Sequence, residues 1–320
     1  MHPRLFELPI FLIAAFAGTL LGLLFFGNSK RPAVVFGAAA AGGIAGGVFA
    51  FVRWGGGNMP IQSYGTMILI GFLFGVWMAA RRSKRIGVDP AHCLDIGTYG
   101  AILGVIGARL LHMALNWPNY TPLFNESYGI TGLDFFGAFV TSILFTCAYC
   151  KFYKIPVVPF LDLSVPSLIA GQSFGRIGCF LYGCCYGKPT ALPWHVCFPP
   201  DSPPFNHHAN LRLIPESAEC SLHIHPTQLY ASLAAALTAG FLYAYWPRRP
   251  YDGLIVSLML IMAGTTRFFE ELLRADEPPL FASIPWLTAA HYFALGAIAT
   301  GTILLLYFRK HRELYKPVAP

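Results

Sequence analysis

Arg176 has the most to explain. It lies in the stretch Gly175-Arg176-Ile177-Gly178-Cys179-Phe180-Leu181-Tyr182-Gly183-Cys184-Cys185-Tyr186-Gly187, directly after the apolar run from Val157 to Phe174. A charge at that depth in an apolar setting is costly and needs a partner. Gly175, Gly178, Gly183 and Gly187 would let backbone or ligand come close to it. Three more arginines stand in comparable places. Arg109 falls within Gly104–His112, and Arg267 and Arg274 flank Glu271 at i, i+4 and i+7, which puts all three on one helix face. A salt bridge inside that helix satisfies Glu271 but does not account for Arg109 or Arg176. Four arginines with so few carboxylates predict unbalanced positive charge. The planar guanidinium fork matches phosphate oxygens, so the chemistry expected is capture of a phosphate-bearing lipid near one face of a membrane. Tyr64 and His225 each open an apolar run, and each has an ordinary reading, as an interfacial anchor and a solvated loop residue respectively.

The elements that position these residues are membrane helices. The chain has 320 residues, 55% hydrophobic and 12% charged, with a mean hydropathy of +0.55. Soluble domains are closer to ~25% charged. Nine apolar runs approach the ~20 residues that cross a bilayer: Pro9–Phe26, Ala33–Val52, Gly65–Ala80, Leu94–Leu115, Phe135–Cys150, Val157–Phe174, Thr227–Trp246, Gly253–Leu273 and Thr288–Phe308. The fold class expected is an all-α polytopic integral membrane protein. Residues 1–57 read as an accessory two-helix hairpin, since Gly55-Gly56-Gly57 breaks the chain after a second span rich in Ala and Gly. Residues 58–320 then form a seven-helix core with a long loop at 188–226.

Charge sets the orientation. With nine spans, Lys30-Arg31, Arg81-Arg82-Ser83-Lys84-Arg85, Lys151 with Lys154, Arg248-Arg249 and Arg309-Lys310-His311-Arg312 all fall on one side, which is then cytoplasmic. The N-terminus is outside, the C-terminus inside, and Arg176 at the outer face. The net charge of +7 is thus a matter of topology and anionic lipid, and excludes nucleic acid as a partner.

The eight cysteines show no zinc-ligand spacing. Cys147 and Cys150 sit in an apolar run and read as packing, while Cys179, Cys184, Cys185, Cys197 and Cys220 are candidates for outer-face disulfides. The loop histidines His207, His208, His223 and His225 are too loosely spaced for a metal and read as surface groups. Its prolines argue against long regular structure in that loop.

Taken together, Tyr64-Gly65-x-Met67, Gly107-Ala108-Arg109-Leu110, Gly132–Ala138, Asp162, Gly175–Gly187, His225–Tyr230 and Arg267-Phe268-x-x-Glu271-x-x-Arg274 resemble the prolipoprotein diacylglyceryl transferase family over residues 58–310. The resemblance implies a bacterial cytoplasmic-membrane enzyme. It passes the diacylglyceryl group of phosphatidylglycerol to the lipobox cysteine thiol of a preprolipoprotein, releasing glycerol phosphate, with no metal or organic cofactor. It implies that Arg176 and Arg267 face the phosphate, that Tyr64 positions the headgroup, that Arg109, Glu271 and Arg274 support or gate the site, and that Gly175, Gly178 and Gly187 belong to the signature. The sequence departs from the family pattern at three positions. Phe136 stands where the family has a histidine suited to act as base, Cys179 where it has asparagine, and Cys184 where it has glutamate. His112, one turn after Arg109, and His225 are the substitutes for the base, unless the thiol needs none. These departures leave two alternatives, a paralogue with another acceptor and a non-catalytic phospholipid-binding protein.

Overall fold

The structure, a computed structural model, describes residues 4–9, 58–115, 135–275 and 287–314. The expected hairpin over 9–52 lies outside them, as do the side chain of Phe136 and the 116–134 loop. A short antiparallel ribbon pairs β1 (Arg4–Pro9) with β2 (Asn58–Gln62).

The other long regular elements among the described residues are helices. The long helices are α1 (Ser63–Ser83), α2 (Pro90–Leu115), α3 (Phe135–Phe152), α4 (Val157–Tyr182), α6 (Thr227–Tyr245), α7 (Leu254–Leu273) and α8 (Ala289–Lys310). A short α5 (Pro203–Asn210) interrupts the long loop. Five of the long helices are long and apolar enough to cross a membrane. Every 18-residue window of α7 contains Arg267, Glu270 and Glu271, so it is apolar only over its first three turns. Ile68, Ile102, Leu144, Leu168, Leu237 and Ile303 project outward, so apolar surface faces out as well as in. That is the pattern of helices solvated by lipid.

The helices meet through small residues. A Cβ at Gly71 would lie 2.7 Å from the Gly171 carbonyl oxygen, and one at Gly107 would strike Thr141. Glycine is required there for α1–α4 and α2–α3 to approach so closely.

At one end of the bundle Asp162 is fully buried and caps α7 from the first turns of α4. It accepts the backbone N–H of Gly253 at 2.7 Å and of Val256 at 2.9 Å. Arg249 approaches Asp162 at 3.6 Å and pairs with Asp252 at 2.7 Å. Asp162 matched the family pattern, and its contacts here are those of a helix anchor. Arg82 corrects another expectation. It belongs to a cluster read as loop charge, yet it is buried, with its guanidinium 3.1 Å above the Tyr243 ring and donating to the Tyr243 carbonyl oxygen.

At the opposite end the 183–226 segment folds as a packed cap around Tyr186, Phe198 and Ile224. Its prolines end short elements and do not prevent structure: Pro203 and Pro204 open α5, where a missing N–H costs nothing. His208, expected on the surface, is buried, and its Nδ1 accepts the Leu222 N–H at 3.3 Å. His207 bonds the Tyr186 hydroxyl. No disulfide joins the eight cysteines; Cys150 is fully buried in the core, in keeping with a packing role.

Candidate active site

The signature stretch is the last two turns of α4 and the turn that follows. Gly183 ends the helix at φ 92°, and its N–H closes on the Cys179 carbonyl oxygen. From this end Arg176 reaches across to α7, where its Nη1 lies 3.2 Å from Glu270 Oε1. Arg267 reaches the same oxygen at 3.2 Å and Glu271 Oε2 at 2.7 Å. Arg274 approaches Glu271 Oε2 at 3.5 Å. Three guanidiniums and two carboxylates thus form one chain across two helices, with one net positive charge.

This corrects the expected charge balance. Glu270 was not among the residues read as functional, although it stands three positions after Arg267. Its partner Arg176 is 94 residues away in sequence, so the pairing itself has no local signature. Thr288 and His291 were also missed. Thr288 donates to Glu271 Oε1 at 2.9 Å, and with His291 it forms the capping box that opens α8. Glu271 is therefore clamped from α7 and α8 together and is almost fully buried.

Part of this network is unsatisfied, Glu271 Oε2 included. Arg267 Nη1 and Glu270 Oε1 are buried and in ionic contact, yet neither makes an aligned hydrogen bond within the described residues. Their orientation leaves Arg267 with a donor unfilled. Both residues line a cavity of about 310 Å³ between α4, α6 and α7. Its wall is Ile169, Ala231, Ala234, Ala235, Ala263 and Phe269; Gln172, Tyr230, Thr265 and Thr266 add polar groups. The cavity is mostly apolar, with one ion pair in its lining.

The glycines fall into two kinds. A Cβ at Gly187 would lie 2.6 Å from His225 Cβ, and one at Gly178 would crowd Tyr64 and Met67 at 3.2 Å. A Cβ at Gly175, next to Arg176, would meet nothing within 4 Å. Gly187 also bridges Arg274 through the backbone, and Ala275 N–H donates to the Tyr186 carbonyl oxygen, so the cap is stitched to the end of α7.

Tyr64 stands in the first turn of α1 and packs against Tyr182, ring centroids 6.3 Å apart. His225 Nδ1 lies 3.4 Å from the Tyr230 hydroxyl, which also accepts the Trp194 Nε1–H at 2.7 Å. His225 is thereby joined to a residue of the cavity wall. Arg109 and His112 lie one turn apart on α2, which packs on α1 and α3. The structure therefore unites Arg176, Arg267, Glu271 and Arg274, sets Tyr64 and His225 beside them, and carries Arg109 and His112 on α2. Thr227, the first residue of α6, donates to the Cys185 carbonyl oxygen at 2.8 Å, and Gln228 donates to the Cys184 carbonyl oxygen at 2.7 Å.

The family model described as prolipoprotein diacylglyceryl transferase matches residues 51–307. The chain belongs to that family. A phosphatidylglycerol–prolipoprotein diacylglyceryl transferase of Clostridium tetani is 35% identical over 246 residues, 76% of this chain and 92% of the relative. Proteins of the same name from Finegoldia magna and Thermosynechococcus vestitus are 28% and 29% identical, over 79% of this chain in each case and 93% and 91% of the relatives. Within the family this member pairs the arginine signature with a turn of three thiols, Cys179, Cys184 and Cys185.

Proposed function

We propose that this membrane protein transfers the diacylglyceryl group of phosphatidylglycerol to the lipobox cysteine thiol of a preprolipoprotein. It does so at the outer face of the bacterial cytoplasmic membrane, with the N-terminus outside and the C-terminus inside. The observation that carries the reading is the cavity between α4, α6 and α7, mostly apolar and lined as well by Arg267 and Glu270. A phospholipid suits that lining, with acyl chains for the alanine-rich wall and a phosphate for the unfilled Arg267 donor. The basic cluster Arg81–Arg85 lies at the far end of α1 from Tyr64, which supports an outward-facing site.

The chemistry follows from the charges. The acceptor sulfur attacks the glycerol carbon, the carbon–oxygen bond breaks, and its electron pair leaves on the phosphate. A phosphodiester monoanion becomes a phosphomonoester carrying nearly one more charge. Arg176 and Arg267 meet that growing charge, and groups fixed beforehand for the transition state are the effective ones. Glu270 and Glu271 hold the arginines in place, with Arg274 closing the chain behind them. Gly175 leaves space beside Arg176, and Gly178 lets Tyr64 close against α4 to flank the headgroup. Arg109 and His112 on α2 form an outlying gate. His225, through Tyr230, is the histidine best connected to the cavity. Gly187 allows the cap to close on α7. Residues 1–57 are an accessory hairpin on the 58–320 core.

Purified full-length protein incubated with phosphatidylglycerol vesicles and a lipobox peptide yields a thioether adduct and free glycerol phosphate, both read by mass spectrometry. Absence of adduct with folded protein, and failure to sustain lipoprotein maturation in cells depleted of their own transferase, would point instead to another acceptor. His112→Ala and His225→Ala are assayed beside it; full activity in both removes the two histidines from proton transfer.

A further inference from the structure

The three thiols of the signature turn converge. Cys179 in the last turn of α4, and Cys184 and Cys185 just after it, place their sulfur atoms all within 4.8 Å of one another. Each is partly exposed. Three sulfurs around a tetrahedral zinc, at ~2.3 Å each, are about 3.8 Å apart, and a small contraction produces that geometry. The turn is held for it. Cys185 adopts φ 58°, a left-handed conformation that side chains with a Cβ enter only at a cost. It persists because the fully buried Thr227 and Gln228 bind the Cys185 and Cys184 carbonyl oxygens.

Two guanidiniums lie near the turn. Arg176 and Arg274 act on Cys185, and Tyr64 is within electrostatic reach of all three cysteines and of Arg176. Three thiolates and a divalent cation carry one net negative charge, which the net positive charge of the arginine network offsets.

We infer that Cys179, Cys184 and Cys185 form a three-thiolate zinc site whose fourth position is left for an incoming thiol. Zinc sites with three protein ligands and one open position are those that do chemistry. A thiol taken into that position loses its proton to water and is held as a thiolate. Its sulfur then forms the bond to the glycerol carbon while the carbon–oxygen bond breaks toward the phosphate at Arg176 and Arg267. Such a site supplies thiol activation in a chain with Phe136 where a base is expected. The metal site stands by itself; the role of its fourth position rests on the transferase reading.

Full-length protein in detergent, purified with a reductant and then exchanged into Zn²⁺ or Co²⁺, is the test. One bound equivalent is expected, with thiolate-to-cobalt charge-transfer bands and the visible bands of a tetrahedral site. Both are lost in Cys179→Ser, Cys184→Ser and Cys185→Ser but kept in Cys197→Ser, with size-exclusion profile and thermal unfolding reporting the fold of each. A lipobox peptide with its cysteine shifts the visible bands; the serine peptide does not. No metal retained by the reduced wild type, a disulfide within the triad that excludes metal, or capture of Cu⁺ but neither Zn²⁺ nor Co²⁺ each overturns the site. Metal binding without a thiol-dependent shift overturns the open position. A shift without adduct formation leaves the metal site intact and counts against the transferase reading alone.

Discussion

Glu270→Gln isolates the charge that the network places between Arg176 and Arg267. The amide keeps the shape and removes one negative charge, so the five-residue network goes from one net positive charge to two. A phosphate bound on the far side of the guanidiniums would sit roughly 6 Å from the lost charge. With an effective dielectric of about 40 for these partly exposed arginines, the interaction is about 1.4 kcal/mol per unit of phosphate charge. The donor headgroup carries one such charge and the released glycerol phosphate nearly two. The expected result is therefore a roughly tenfold lower KM for phosphatidylglycerol and a roughly hundredfold lower inhibition constant for glycerol phosphate. Because product then leaves slowly, kcat falls as KM falls, and high salt weakens both effects. Steady-state kinetics with added glycerol phosphate reads all three. A rise in KM, or equal changes for substrate and product, would refute the argument that Glu270 sets the charge of the site and the identity of the anion it was tuned for.

Arg176→Lys keeps the charge but loses the planar fork reaching Glu270, and kcat/KM falls by about 10²–10³ with thermal stability near wild type. Gly187→Ala forces a methyl into His225 and Thr227, so unfolding of the detergent-solubilised protein is easier by about 1–3 kcal/mol, whereas Gly175→Ala has room and leaves stability unchanged; equal loss in both would contradict the packing. Asp162→Ala strips two N–H partners from the start of α7 and leaves Arg249 with Asp252 alone, a loss of about 3–5 kcal/mol measured by chemical unfolding. His208 is held below its ordinary pKa by burial and then by His207, so the folded state favours its neutral form. Its contribution is complete above about pH 6.5 and is lost as pH falls through the lower folded value. The unfolding temperature of wild type should therefore drop on acidification more than that of His208→Asn; parallel curves would refute the assignment.

Much of this was legible along the chain. Run length and composition identified seven core helices; six appear with bounds within about four residues of the reading, while Val157–Phe174 runs on for two more turns to Tyr182 and takes in the signature arginine. The Arg267–Glu271–Arg274 face was legible because helical periodicity brings those positions together whatever the rest of the fold does. His208 departs from the reading, since a residue in a proline-rich loop is surface by composition and becomes core only when the loop packs on Tyr186, Phe198 and Ile224. Arg82 failed in the same way, as a charge in a basic cluster whose burial depends on Tyr243 of another helix.

By itself, then, the sequence determined that the chain lives in a membrane, which family it belongs to, and which arginines stand near helix ends. Those properties are local: a bilayer selects on stretches of about 20 residues, and helical spacing on positions three and four apart. Only the tertiary structure decided that Arg176 meets Glu270, that Asp162 caps α7, and that Cys179, Cys184 and Cys185 converge. Each of these depends on how α4 lies against α6 and α7. That packing is set by complementary small-residue surfaces far apart in the chain, and by backbone partners such as Thr227 and Gln228 that no spacing rule connects to the turn they hold.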